Sequence, residues 1–291
     1  MAWKMGVVLA VMGAVAVGAR GEFRGGQPAA AAALLKELPA VNSVEFLGLV
    51  AAALTLPWAF VCGLYAYHFR GVEGKRAAVR ARAKDAPKPE HRSDWRAALG
   101  RPEGIGGVVG YMTVVLALSV VGPVDLVPPC IQDLDPAPRP LAVALSFLVF
   151  DTLMYGIHRV QHNWSWLYGA THCVHHRIRS PTIIVALTGD LRDTSLLILA
   201  PLHATLFLVP GSNFASVFVF AALALAHLHC IHSEFVHPWD SALRACGLVS
   251  TFDHHVHHCR PKRNLAHFFT AIDKLFGTYT DPRTVPDLAA H

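Results

Sequence analysis

The chain has 291 residues, of which 53% are hydrophobic and only 15% charged, with a mean hydropathy of +0.39 and a formal net charge of +5. Soluble domains carry about 25% charged residues, so this composition excludes an ordinary soluble globular protein. The positive balance is concentrated in one segment and calls for no nucleic-acid partner.

In chain order, "MAWKMGVVLAVMGAVAVGAR" opens the sequence with a lysine, an apolar stretch and small residues. That pattern suits a cleaved signal peptide or a retained first span. Residues 1–40 are read as a signal or anchor segment, with the anchor preferred. The apolar runs at 44–69 and 104–122 each approach or exceed the ~20 residues that cross a bilayer, and residues 41–140 form an N-terminal transmembrane region. Between the two runs, "RGVEGKRAAVRARAKDAPKPEHRSDWRAALGR" (70–101) is the most basic segment of the chain. Cytoplasmic loops are enriched in Lys and Arg, so this loop is placed in the cytoplasm. The run at 141–157 then returns inward. The region 195–231 is two shorter runs joined at Pro210-Gly211-Ser212, a turn signal, and predicts a hairpin that starts and ends on the cytoplasmic face. Residues 283–291 are a short tail.

The six cysteines (62, 130, 173, 230, 246 and 259) form no C-x-x-C pair, which argues against a disulfide framework. Cys173 and Cys259 stand beside histidines and are read as neighbours of a site, not ligands.

Of the 18 histidines, 15 lie between positions 158 and 267. In "DTLMYGIHRVQH", Asp151, Tyr155, His158 and His162 share one helical face, and an acid within a membrane span usually faces a functional interior. In "THCVHH", His172, His175 and His176 have i, i+3, i+4 spacing. His254, His257 and His258 repeat it in "FDHHVHH", where Ser250 and Asp253 fit the capping pattern that opens a helix. In "HLHCIHSEF", His232 is best placed at the interface as a further ligand, while His227 and His229 stay open. His203 and His267 are read as structural, and His255 lies off the ligand face. Neutral imidazole suits zinc, copper, iron and nickel. One tetrahedral zinc would need only half of these groups, so the count points to two metal ions with open positions.

These motifs, "HRVQH", "THCVHH", "IHS" and "HHVHH" followed by "DKLFGTY", closely resemble the sterol desaturase and fatty acid hydroxylase family over about 141–282. The resemblance implies an all-α polytopic membrane protein. About four core transmembrane helices, plus an N-terminal span if the leader is retained, would be capped by a cytoplasmic histidine-rich helical metal domain in the endoplasmic reticulum membrane. It implies two non-haem iron ions held by His158, His162, His172, His175, His176, His232, His254, His257 and His258. Asp151 and Tyr155 would lie behind them as candidate catalytic residues, Asp151 orienting a ligand imidazole. The implied activity is O2-dependent hydroxylation or desaturation of a lipid (a sterol, sphingoid base or fatty acyl chain), with electrons from NAD(P)H through cytochrome b5 or its reductase. Gly277 and Thr278 would end the last helix of the domain. Two segments depart from the family pattern: "TGDLRD" (188–193), and Leu265-Ala266 after Asn264, where an aromatic-Gly pair is common. Both put the substrate in question more than the metals. A histidine-rich metal transporter or sensor is the rival reading; transporters place their ligands near the bilayer midplane.

Overall fold

The fold of this computed structural model is built from helices that share one end. It describes residues 128–131, 133, 135–176, 181, 191–233 and 237–285, with isolated positions 59 and 63. The leader at 1–40, the runs at 44–69 (positions 59 and 63 apart) and 104–122 and the basic loop at 70–101 lie outside the described residues. Among the described residues every regular element is helical, and one β-bridge pairs Leu248 with Phe269.

Helix α1 (Pro140–Asn163) opens with Pro140 in its first turn, where the missing N–H has no intrahelical partner to lose. A second helical segment, α2 (165–176), follows after Trp164, and its middle turn, Tyr168–His172, is π-helical. The long helix α3 (Leu191–Leu208) and α4 (Phe214–Ile231) form the hairpin, turning through Gly211 at φ +67. Short helices α5 (Asp240–Ala245), α6 (Thr251–Cys259) and α7 (Thr270–Leu275) complete the chain. Helices α1, α3 and α4 are each long and apolar enough to cross a membrane. A π turn at Thr194–Leu199 precedes Pro201 in α3. A proline clashes with the carbonyl four residues before it and removes a hydrogen bond, and the widened turn accommodates both effects.

Helices in lipid gain nothing from hiding apolar surface from tails that are equally apolar, so packing and polar ties must hold them. The packing centres on Phe150, Met154, Leu197, Phe220, Ala224 and Leu228, with Phe220 edge-on to Phe147 and Phe150 at ring spacings of 5.0 and 5.5 Å. At the hairpin tip, Asn213 donates to the carbonyls of Asp135 and Ala137, and Ser216 Oγ accepts the Arg139 N–H at 2.7 Å. These ties fix the start of α1 against the turn between α3 and α4. The opposite end of the same helices carries the histidines.

A second device sits at that histidine end. The segment from Asn264 to Phe269 is irregular, and buried backbone N–H groups need partners. Asp273 accepts the N–H groups of Leu265 and Ala266 at 2.8 and 2.9 Å, while Asp151 of α1 accepts those of His267 and Phe269 at 2.8 and 2.7 Å. Asn264 holds φ +49 and closes the segment by donating to Asp253 O and Thr280 O. Gly277, at φ +69 just past α7, lets Thr278 N–H reach back to Asp273 O at 2.8 Å, which ends the helix as the sequence suggested.

Candidate metal centre

Nine buried histidines converge at the end of the bundle in two groups. His158, His162, His172, His176 and His257 form one, and His175, His232, His254 and His258 the other; within each group one nitrogen per ring lies within 4.8 Å of all the others. His158 and His162 occupy the last turns of α1, α2 carries three of the nine, His232 caps α4, and α6 carries three more. Helix α6 begins where expected: Ser250 donates both its N–H and its hydroxyl to Asp253 Oδ2, at 3.0 and 2.6 Å.

Helical geometry explains why there are two groups. At 100° per residue, position i+4 falls about 40° to one side of i, and i+3 about 60° to the other. The i, i+4 pair therefore reaches one point and i+3 an adjacent one. In α2, His172 and His176 serve the five-histidine group and His175 the other. In α6 the arrangement is exchanged: His254 and His258 serve the four-histidine group and His257 the first. Each triplet thus spans both groups.

The nitrogen spacings fit metal ligation. Successive Nε2 atoms of the first group (162, 158, 172, 176, 257) are 3.0, 3.0, 3.1 and 3.0 Å apart. In the second (175, 232, 254, 258) they are 3.4, 2.9 and 3.2 Å apart. A metal–imidazole bond of ~2.1 Å puts ligands at right angles about 3.0 Å apart.

The outer ring nitrogens decide the tautomers. His158 Nδ1 donates to Leu265 O at 2.8 Å, His257 Nδ1 to Arg263 O at 2.9 Å and His232 Nδ1 to Leu228 O at 2.6 Å; His172 Nδ1 donates to Asp193 at 2.9 Å. A neutral ring has one N–H, so His158 and His172 face each other with bare lone pairs at 3.0 Å. Only a cation between such lone pairs makes the contact favourable. Protons are poor candidates, because burial and then neighbouring imidazoles hold His172, His254, His257 and His258 well below the usual histidine range.

A fatty acid hydroxylase family model matches residues 143–278, a stretch that holds all nine of these histidines. Over this stretch, just under half of its length, the chain is similar to the sterol desaturase and fatty acid hydroxylase family. The alternative squalene epoxidase of Phaeodactylum tricornutum is 34% identical over 185 residues, covering 63% of this chain and 51% of that protein. A cholesterol 25-hydroxylase-like protein of Danio rerio is 32% identical over 139 residues, covering 47% and 54% respectively. The cholesterol 25-hydroxylase of Mus musculus is 29% identical over 138 residues, covering 47% and 46%. The chain thus spans about half the length of the curated relatives it matches. No solved structure matches it.

Within the matched stretch, Asp151 and Tyr155 stand apart from the two histidine groups. Both Asp151 oxygens accept backbone N–H groups of the 264–269 segment, and no described ligand imidazole reaches them. Tyr155 bonds Thr278 Oγ1 and Arg159, each at 3.0 Å, and stacks on Phe276. His227 donates to His267 O at 3.0 Å and His255 to Ser233 O at 3.0 Å, and neither these rings nor His229 and His203 enter a group.

The carboxylate that does face a ligand is Asp193, at the start of α3. It accepts from His172 Nδ1 and from Gln161 Nε2, which also donates to Thr171. His172 is neutral, so this contact is a carboxylate orienting an imidazole and not an ion pair. Partners of this kind raise ligand basicity, and their loss typically costs 10–100-fold in metal affinity. Asp193→Asn is expected to weaken metal retention by about that factor with the fold intact, measured by chelator competition on the purified protein. Unchanged retention would remove Asp193 from the centre.

The pH dependence follows from the same burial. Seven ligands outside the membrane-crossing helices (172, 175, 176, 232, 254, 257, 258) have depressed folded-state pKa values. The unfolded chain protonates its histidines below about pH 6.5, so it binds more protons there and stability falls as pH drops. Asp240, pushed up to about 6 by burial, and Asp273, raised by the same cause, act in the opposite sense but are two groups against seven. The melting temperature of the metal-depleted protein in detergent should therefore be flat above pH 6.5 and fall steadily towards pH 5. A flat profile across that range contradicts the burial of neutral ligands.

Proposed function

We propose that this protein is a membrane-bound non-haem di-iron oxidoreductase that oxidises a lipid, with a sterol or a squalene-like hydrocarbon as the favoured substrate class. The observation that carries this reading is the pair of adjacent all-imidazole groups with lone pairs turned inward. The names of the relatives, an epoxidase and hydroxylases of squalene and cholesterol, supply the substrate class. His158, His162, His172, His176 and His257 would hold one iron, and His175, His232, His254 and His258 the other. Bound iron would activate O2 for oxidation of an aliphatic C–H bond or an alkene, using electrons from NAD(P)H through a cytochrome b5-type donor.

The chain itself supplies position and dryness. Leu265 O, Arg263 O, Leu228 O and Asp193 hold four ligand rings with Nε2 facing inward. Burial of all nine ligands keeps bulk water from them, as a strong oxidant requires. Helices α1 and α4 end at the groups, so a lipid lying along them brings its carbon chain close to the ligands. We place this end at the cytoplasmic face of the endoplasmic reticulum membrane. The transporter reading is weaker, because the ligands sit at helix ends and on α2 and α6, while transport sites lie near the midplane.

The test is lipid mass spectrometry of yeast expressing the chain, paired with metal analysis of the purified protein. Two irons per chain and a product heavier by one oxygen, or lighter by two hydrogens, are expected. Unchanged lipids together with altered cellular metal uptake would replace this reading with transport.

A further inference from the structure

His267 belongs to neither group of ligands, yet it is only 4% exposed and lies against both. Its ring is 5.0 Å from that of His158, in the five-histidine group, and 5.4 Å from that of His254, in the four-histidine group. Those spacings fall among the ones separating true group members, such as the 5.2 Å between His175 and His232. Its Nδ1 is buried with no hydrogen-bond partner.

The main chain at this position already has its partners: the His267 N–H donates to Asp151, and its carbonyl accepts from His227 Nε2. The side chain is therefore not needed to hold the segment. A phenylalanine or leucine would fill the same space without leaving a buried nitrogen unpaired, which costs free energy. An imidazole kept here at that cost, on backbone pinned from α1, α4 and α7, is a preorganised polar group awaiting a partner.

We infer that His267 is a tenth imidazole of the centre, whose ring nitrogen hydrogen-bonds a small ligand, a water or an anion, held where the two groups meet. This inference rests on the reading that each group holds a metal. It assigns His267 a binding role towards the exogenous ligand, distinct from the nine that hold the metals.

Cobalt(II) substitution of the full-length chain in detergent tests it, with azide as the probe and the visible spectrum as the readout. His267→Ala and His267→Phe keep every backbone bond of the segment and should retain two cobalt ions per chain. Both should bind azide about 10- to 100-fold more weakly, the worth of one hydrogen bond to an anion. His267→Asn, whose amide nitrogen can stand close to where Nδ1 stood, should recover most of that loss. Equal azide affinity in the wild type, His267→Ala and His267→Phe overturns the inference. So does loss of cobalt from His267→Phe, which would make the residue a metal ligand or a packing element. A wild-type chain that fails to take two cobalt ions instead overturns the dinuclear reading itself.

Discussion

Replacing His257 with alanine is expected to lower lipid oxidation by more than 100-fold and to reduce bound iron from two per chain to one, while the protein stays folded in the membrane. His257 Nε2 stands 3.0 Å from His176 Nε2, and its Nδ1 donates to Arg263 O. On the di-iron reading the substitution removes a direct ligand, which should exceed the 10–100-fold cost typical of an orienting partner. His255→Ala, two residues away on the same helix, is the matched control, since His255 Nε2 is committed to Ser233 O. The measurements are product formation in yeast and iron content of the purified variants. Full product from His257→Ala, or equal losses in both variants, would remove α6 from the centre.

The second large effect is expected at Asp151, and it is one of stability. Alanine there leaves the buried N–H of His267 and the half-buried N–H of Phe269 without acceptors. Each orphaned donor costs about 1–3 kcal/mol, so the variant should lose about 2–6 kcal/mol. Asparagine keeps one acceptor and should fall between. The loosened segment also carries Leu265 O, the acceptor that orients His158, so iron retention should fall with the melting temperature. An unchanged melting temperature with lowered activity would instead make Asp151 a participant in the chemistry.

The convergence of the nine histidines was legible in the sequence because helical spacing alone turns H-x-x-H-H and H-x-x-x-H towards common points. The hairpin was legible because Pro210 and Gly211 interrupt an apolar run at a turn. The exchange of roles between the α2 and α6 triplets was not, since spacing does not say which of two points a ring serves. Asp193 was hidden for a different reason. It lies 21 residues from His172, and nothing local distinguishes it from the neighbouring Asp190. Asp151 shares a face with His158 and His162, and this suggested an imidazole partner. The competing demand came from backbone donors more than 110 positions away in sequence, and a buried irregular segment outbids a ring that has a carbonyl of its own.

The exchanged triplets have a consequence for biogenesis. The five-histidine group needs α1, α2 and α6, and the four-histidine group needs α2, α4 and α6. No metal pocket is therefore complete until residue 258 has left the ribosome and α6 has docked onto helices already in the membrane. A nascent chain stalled before α6 would present six of the nine histidines with neither group closed. On the di-iron reading, metal loading follows the docking of α6 and does not accompany the insertion of α1 to α4.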